Sequence, residues 1–600
     1  MNIAWAAFIT IFSWSLGDYI LSMVKDLKFT VTEKFIFSLG IGFGVAAYLV
    51  FLAGQINILY AGVFIPVILA VCLLSCRRLP GGLCRVASFV KGFRITSLSL
   101  FEKMLIMLLF GVFAFSLAGA LAPAIGNDSL AYHLYHPRIF IETHSIAHIP
   151  HTRESLWPYL TEMLFTLGML VKGPVVSKLL HYVFGVLSTI AVFCFARRFL
   201  GRKEGLIAAA LFYLAPCIFM QASYAYIELA LCFYVFGSFY LFFIWEKERN
   251  LWYLVLSGLF MGLAISTKIL AGMALIPILL LLAFNLVQTQ VTVRKAFKVC
   301  IAFLIPIFLS SFIWYLRSFM ITGNPVYPFM QSLFGGGWTG YDLSEYVSQV
   351  DLGHSQGIIG FLRLPWDLVM NVGSFGPGEQ IGFLFLALFP CLFFVEWKNS
   401  VNKAMLFFVL IFTTIWYAAG PNARYYSMIF PAIFLLYSSG LHRLLYTKKM
   451  NFMKWLISGG LCFNAMLACY YNLAPMKLLI GKTTMEEYLI ANERTSGMAK
   501  WVNETLEKDA IVVVVNEPRM FYFRTPSLNY MPFIMEYADE KVRFNMFQDI
   551  IGQYPHVYVV VNSDKMDEII KSLVYKKQAL FSTLSNEDGL PYEYAIYKVK

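Results

Sequence analysis

Charge is scarce in this sequence. Asp, Glu, Lys and Arg together make up 14% of its 600 residues, against 59% apolar residues and a mean hydropathy of +0.67. A soluble protein could not bury so much Phe, Leu and Ile, and uncharged runs of about 16 to 22 residues recur along most of the chain, as in membrane-spanning helices. A soluble enzyme, a secreted disulfide scaffold and a disordered chain are thereby excluded. No CxxC pair occurs, and the polar tail after Leu473 holds no cysteine. Nine of the ten cysteines lie in or beside apolar runs and the tenth, Cys84, lies in a basic loop, so neither a zinc knuckle nor a disulfide framework is expected. No GxGxxG or Walker motif offers a nucleotide site, and no internal repeat or low-complexity tract is visible. The first residues lack a basic region and a small-residue cleavage site, so residues 2–24 read as a retained span.

What remains is a polytopic α-helical membrane protein. Apolar runs begin near Asn2, Phe35, Ile58, Met104, Val175, Gly205, Tyr226, Trp252, Ile269, Val299, Ile381, Ala404, Tyr426 and Phe452, which gives about fourteen transmembrane helices. The stretch 252–287 is nearly unbroken, but as one helix it would run about 54 Å against a hydrocarbon core of about 30 Å. Splitting it at Ser266-Thr267-Lys268 places Lys268 in a turn. Basic clusters at Arg77–Lys103, Arg197–Lys203, Arg294–Lys298 and Arg443–Lys449 then share one face, which the positive-inside bias makes cytoplasmic. The net charge of +12 therefore orients the chain and is no sign of nucleic-acid binding. Both termini fall on the extracytoplasmic side. That side also receives residues 125–174, 322–380 and a tail, 475–600, which carries about half of the 35 acidic residues. The β-branched runs 511–515 and 557–561, the alternating run 592–599 and a helical stretch at 486–506 make the tail a small α/β domain.

Cations at the outer boundary run against the charge bias and need a reason. Lys268, Arg317 and Arg424 stand there on three separate helices, at the depth of a lipid phosphate. Arg suits bidentate phosphate contact and Lys a point-charge contact, while snorkelling to head groups is the plain alternative. Asp128 directly follows a span and is preceded by Gly126-Asn127. It could take a proton from a hydroxyl or ligate a metal, although from spacing alone the favoured reading is an N-cap for a helix over 129–143. Five of the nine histidines (His133, His136, His144, His148 and His151) crowd the same segment. Pro137, Pro150 and the lack of a matching carboxylate pair count against a metal site there, and histidines lining a polar cavity are the better reading.

These pieces resemble the bacterial GT-C glycosyltransferases, membrane enzymes related to protein O-mannosyltransferases and lipid A aminoarabinose transferases. The resemblance rests on Asn127-Asp128-x3-Tyr132-His133, Ser155-Leu156-Trp157-Pro158-Tyr159-x2-Glu162, Gly262-Leu263-Ala264-x2-Thr267-Lys268, Trp314-Tyr315-x-Arg317 with Thr322 to Pro328, Arg424-Tyr425, and Asn516-Glu517-x-Arg519-x2-Tyr522 in the tail. It covers residues from about 104 onward: a core at 104–474, the tail at 475–600, and residues 1–103 as an accessory N-terminal addition. It implies transfer of a hexose or pentose from a polyprenyl-phosphate carrier to a lipid, glycan or protein hydroxyl, outside a bacterial cell membrane and with inversion. Asp128 would be the base, and Lys268, Arg317 and Arg424 would hold the carrier phosphate. Tyr132, His133, Glu162 and Tyr425 would line the cavity, with no cofactor. Many relatives have two adjacent acidic residues where this chain has Asn127-Asp128, which counts against a metal-assisted mechanism. The chemistry needs little more, because a lipid phosphate is already a competent leaving group. A carrier-lipid transporter or flippase, or a non-catalytic envelope-assembly protein, is the alternative. The absence of related halves and the large outer tail argue against the transporter.

Overall fold

A computed structural model describes residues 1–75, 98–149, 152–334, 357–376, 380–515, 517–530, 540–562, 570, 574, 578–587 and 590–600. Arg77, Arg78, Arg85, Lys91, Arg94, His151 and Asn516 lie outside the described residues. Among the described residues, ten helices are long and apolar enough to cross a membrane, and four shorter apolar ones accompany them. Leu100–Leu121 shows why such helices form where they do. Ser99 and Glu102 close a capping box at its start, and its 22 residues reach about 33 Å, the thickness of the hydrocarbon core. Thr30 and Glu33 start Val31–Gln55 in the same way.

The long apolar stretch does divide at Lys268. Leu251–Thr267 and Gly272–Gln288 are separate helices joined by a short 3-10 turn, Ile269–Ala271, with Lys268 in extended conformation between them. Gly258 lets the first of these approach Val293–Thr322 closely, since a Cβ there would lie 2.1 Å from the Phe303 carbonyl oxygen. Two expected spans are broken instead. The run from Gly205 becomes Arg202–Tyr213 and Pro216–Gln221, because Pro216 lacks the N–H a continuous helix needs. The run from Ile381 becomes two short pieces, Phe383–Ala387 and Phe389–Phe394. Within residues 1–103, which the resemblance sets apart as an accessory addition, the helix Val31–Gln55 is bonded to the bundle. Tyr48 bonds Ser266 at 3.1 Å and accepts from the Trp314 indole at 3.2 Å.

The segment after Leu121 holds more structure than a polar loop. A π-helical turn, Ser129–His133, leads into Tyr135–Glu142, and an apolar buried helix, Leu160–Val171, packs back against Pro174–Phe199. Asp128 stands at the N-cap position but makes no capping bond, so the N-cap reading is replaced by one in which its carboxylate is turned elsewhere.

The tail opens with helices Met485–Asn492 and Ser496–Thr505, one stretch broken at Glu493-Arg494-Thr495. Its five strands are β1 (Ala510–Val515), β2 (Ser527–Asn529), β3 (His556–Asn562), β4 (Phe581–Glu587) and β5 (Leu590–Lys598), in the order β2-β1-β3-β5-β4. β1 pairs in parallel with β2 and β3, and β5 runs antiparallel to β3 and β4. Fully buried on both faces, β1 is continuous in valine as a central parallel strand should be.

Candidate active site

The C-terminal end of Leu100–Leu121 delivers Asp128, and a buried lysine fixes that end. Lys178, 1% exposed, donates to the carbonyls of Gly119 (2.8 Å), Ala122 (2.7 Å) and Pro123 (3.1 Å), of which Gly119 also accepts from the Ala122 N–H at 3.3 Å. Beyond this anchor Asp128 meets Arg424, at the start of Ala423–Tyr426. Arg424 Nη1 lies 2.6 Å from Asp128 Oδ2, and the Tyr132 hydroxyl donates to the same oxygen at 2.9 Å. Burial opposes ionisation of Asp128 and is the largest single influence, but the positive charges around it, Arg424 foremost and Lys268 with it, together outweigh burial and hold the carboxyl well below the usual carboxylate range.

Glu228 completes the cluster. Fully buried at the start of Glu228–Glu248, it lies 3.2 Å from Arg424 Nε and 4.0 Å from Lys268 Nζ, while its other oxygen accepts from the Ile227 N–H at 3.1 Å. Lys268 in turn donates to the Tyr425 hydroxyl at 3.0 Å. Two cations and two carboxylates from four separate helical ends thus form one network, each charge paired, as burial requires. Sequence reasoning left Glu228 out of the site. Nothing in Ile227-Glu228-Leu229 says which helix ends it will meet.

Through Lys268, Tyr425 and Tyr132 this network reaches the wall of a cavity of about 250 Å³, which Asp128, Arg424 and Glu228 themselves do not line. Tyr132, His133, Glu162, Lys268 and Tyr425 line it, and apolar residues such as Leu270, Met273, Trp314 and Val326 make up much of the rest. His133 Nδ1 bonds Glu162 Oε1 at 2.8 Å, and the outer atoms, His133 Nε2 and Glu162 Oε2, are buried with no partner among the described residues. Burial pushes the His133 imidazole well below its ordinary range, so it is neutral. Arg317 stands at the same end of the bundle and, like Arg424, does not line the cavity; its Nη1 donates to the Ser155 carbonyl at 2.7 Å, and its Nη2 is buried with no partner among the described residues. The other histidines disperse among separate partners: His136 to Tyr159, His144 to the Leu59 carbonyl and His148 to Ser155. Among the described residues no three of His, Cys, Asp and Glu gather as a metal centre.

The described basic clusters lie at the opposite end of the bundle. Arg198 pairs there with Glu33 at 3.0 Å, and Lys28 with Glu248 at 2.9 Å. Lys103 and Arg294 stand at the far ends of the helices that lead to Asp128 and to Trp314.

Comparison with known proteins agrees with this architecture. A family model for dolichyl-phosphate-mannose-protein mannosyltransferases matches residues 156–315. No curated protein sequence matches the chain. Among solved structures, ArnT from Cupriavidus metallidurans bound to undecaprenyl phosphate superimposes with a TM-score of 0.54 at 14% identity, over 83% of this chain and 97% of that one. Its apo state gives a TM-score of 0.53 at 14% identity, over 82% of this chain and 98% of that one. The chain is a multi-pass membrane protein. Its fold is the GT-C glycosyltransferase fold, with a small sheet-containing region at the C-terminal end.

Proposed function

We propose that the protein is a glycosyltransferase that moves a hexose or pentose from a polyprenyl phosphate to an acceptor hydroxyl, on the extracytoplasmic side of a bacterial cell membrane. The observation that carries this reading is the pairing of Asp128 with Arg424 in a network that Glu228 extends to Lys268, which stands in the wall of a largely apolar cavity. The bound undecaprenyl phosphate of the ArnT complex supports such a carrier, and the basic clusters at the opposite end support the sidedness.

The acceptor oxygen attacks the anomeric carbon and gives its proton to Asp128. The bond from that carbon to the phosphate oxygen breaks, and its electron pair leaves with the lipid phosphate, whose charge Lys268 and Arg424 hold. Attack opposite the leaving group inverts the anomeric carbon. In the free protein Asp128 is a weak base, since Arg424 stabilises its ionised form. The donor phosphate competes for that guanidinium. As Arg424 turns to the phosphate, still held at Nε by Glu228, Asp128 loses its counter-charge and gains basicity. We assign the spare atoms of His133 and Glu162 to hydroxyls of the donor sugar. We further propose that no metal takes part, because arginine and lysine already neutralise the carboxylates a metal would need.

The test is to incubate full-length protein, purified into lipid, with a panel of polyprenyl-phosphate hexoses and pentoses and to follow release or transfer of sugar. Turnover that is resistant to chelators and lost in Asp128→Asn supports the reading. Carrier lipid moved across the bilayer with no sugar bond broken would replace it with a flippase.

A further inference from the structure

The two carboxylate oxygens of Asp128 are held by different parts of the molecule. Oδ2 meets Arg424 Nη1 at 2.6 Å and the Tyr132 hydroxyl at 2.9 Å. Oδ1 accepts from the side-chain amide of Asn127 at 3.3 Å. Asn127 in turn accepts at its own Oδ1 from Arg519 Nε, in the tail, at 2.9 Å. A guanidinium N–H can only donate, so Arg519 decides which way round the Asn127 amide stands: oxygen toward the tail, nitrogen toward Asp128. Without that donor the amide is free to turn over and present Asp128 with a carbonyl oxygen, which a carboxylate repels.

Arg519 is itself held with little freedom. It is buried, its main-chain N–H donates to Glu517 Oε1 at 3.0 Å, and its Nη1 donates to Glu493 Oε1 at 3.4 Å. Glu517 Oε2 accepts from Arg494 Nε and from the Tyr594 hydroxyl of β5, both at 2.7 Å. A line of bonds therefore runs from the sheet through Glu517, Arg519 and Asn127 to the acid. The residues after Arg519 grip the main chain on either side of Asp128. The Tyr522 hydroxyl donates to the Ala124 carbonyl at 2.7 Å and the Phe521 N–H to the Leu130 carbonyl at 3.2 Å, while Arg138 reaches back to the Phe523 carbonyl at 2.8 Å. Docking a domain onto the bundle needs contacts anywhere along the interface; these fall on residues 124, 127 and 130, around the acid.

We propose that Arg519 is a positioning residue for the transfer reaction, which through Asn127 holds Oδ1 of Asp128 and keeps the carboxylate aimed while Arg424 is drawn to the donor phosphate. This rests on the glycosyltransferase reading and gives the tail a part in the proton transfer at that same site. In that mechanism Oδ2 loses Arg424 when the donor binds, and a carboxylate with one edge released turns about its own axis. Asn127 keeps hold of the other edge. A neutral amide does so at a smaller cost in basicity than a second cation would exact, since hydrogen bonds from charged donors are the stronger ones. Arg424, Lys268, Tyr132 and His133 surround Asp128, and Tyr135, His136 and Glu154 share the space it faces. All seven belong to the bundle and its outer segment, so the tail acts on the acid by way of Asn127.

The experiment compares full-length protein in lipid nanodiscs with Asn127→Ala, Arg519→Gln and the double variant, by transfer of sugar from polyprenyl phosphate and by hydrogen–deuterium exchange. Each single substitution is expected to lower kcat about tenfold or more while donor KM stays within about twofold, because the base and not the carrier is misplaced. The double variant is expected to be about as slow as the slower single one, since both changes break one connection. Losing the amide also removes a hydrogen bond to the ionised carboxylate, so the acid limb of the kcat–pH profile should move to higher pH, which a smaller folded fraction cannot cause. In Arg519→Gln the amides of 124–131 should exchange faster while those of β1 do not. Asn127 is exposed, and its replacement leaves the ion pairs of Arg519 in place, so Asn127→Ala decides the matter where Arg519→Gln loosens the tail. A kcat for Asn127→Ala within about twofold of the unmodified protein, with an unmoved acid limb, overturns the proposal, as do losses that multiply in the double variant. Unmodified protein that transfers no sugar overturns the glycosyltransferase reading and the proposal with it; unmodified protein and variants that transfer equally well overturn the proposal alone.

Discussion

In the proposed mechanism each charge around Asp128 has a separate task, and single substitutions should separate those tasks. Asp128→Asn keeps the shape and a hydrogen-bond acceptor but removes the base. A loss of about 10²–10⁴-fold in kcat is expected, with carrier-lipid binding retained. Arg424 bridges Asp128 and Glu228 with different nitrogens, which a lysine ammonium cannot do from one point. Arg424→Lys should therefore fail to preserve activity, even though charge is conserved, whereas Lys268→Arg should retain part of it; donor KM and kcat measured separately would check both. Asp128, Lys268 and Arg424 stand out in the sequence because ionised side chains at apolar boundaries need a reason. Glu228 was hidden because its reason is three-dimensional. Arg317 was legible as an outer cation, yet its neighbours Tyr315 and Ser318 line the cavity while its own position on the helix turns it to Ser155.

At the scale of the helices, the site depends on how their ends are finished. Lys178→Met would leave the Ala122 and Pro123 carbonyls without this donor, at about 1–3 kcal/mol for each that stays buried and unpaired. A clear fall in thermal unfolding temperature is expected, together with loss of activity, because Asp128 lies a few residues beyond the anchor. His136 makes the outer segment sensitive to acid. Burial, with His148 and Arg317 nearby, pushes its imidazole down to about 3, so the folded state keeps it neutral. Its contribution to stability is full above the ordinary histidine value of about 6.5 and is lost as pH falls from there toward 3, since the unfolded chain takes up the proton first. Thermal unfolding followed between pH 7 and pH 4.5 should show this loss, smaller in His136→Phe. Most helix positions were legible from apolar runs, and the division at Lys268 from length alone. The π-helical turn at 129–133 and the break within 383–394 were not, because tertiary packing decides whether an apolar run continues as one helix, whereas the break at Pro216 had its signal in the proline itself.

For the whole molecule, fold class was readable from composition, and the α/β tail from its three β-branched or alternating runs. Their registry and the short edge strand β2 were not, since Ser527–Asn529 has no strand-like pattern and exists by pairing with β1. Sidedness gives a direct prediction. Membrane-impermeant thiol reagents should label Glu142→Cys in intact cells and Arg294→Cys only after permeabilisation, both positions being exposed. Reversed labelling would put the site in the cytosol. The clasp between Arg519 and Asn127 joins residues 392 positions apart. The ribosome therefore threads nearly all of the bundle into the bilayer before the piece that seals this clasp has been made. A nascent copy already carries Asp128, Lys268 and Arg424 while Asn127 still lacks Arg519, so this contact between bundle and tail is among the later ones the chain can make.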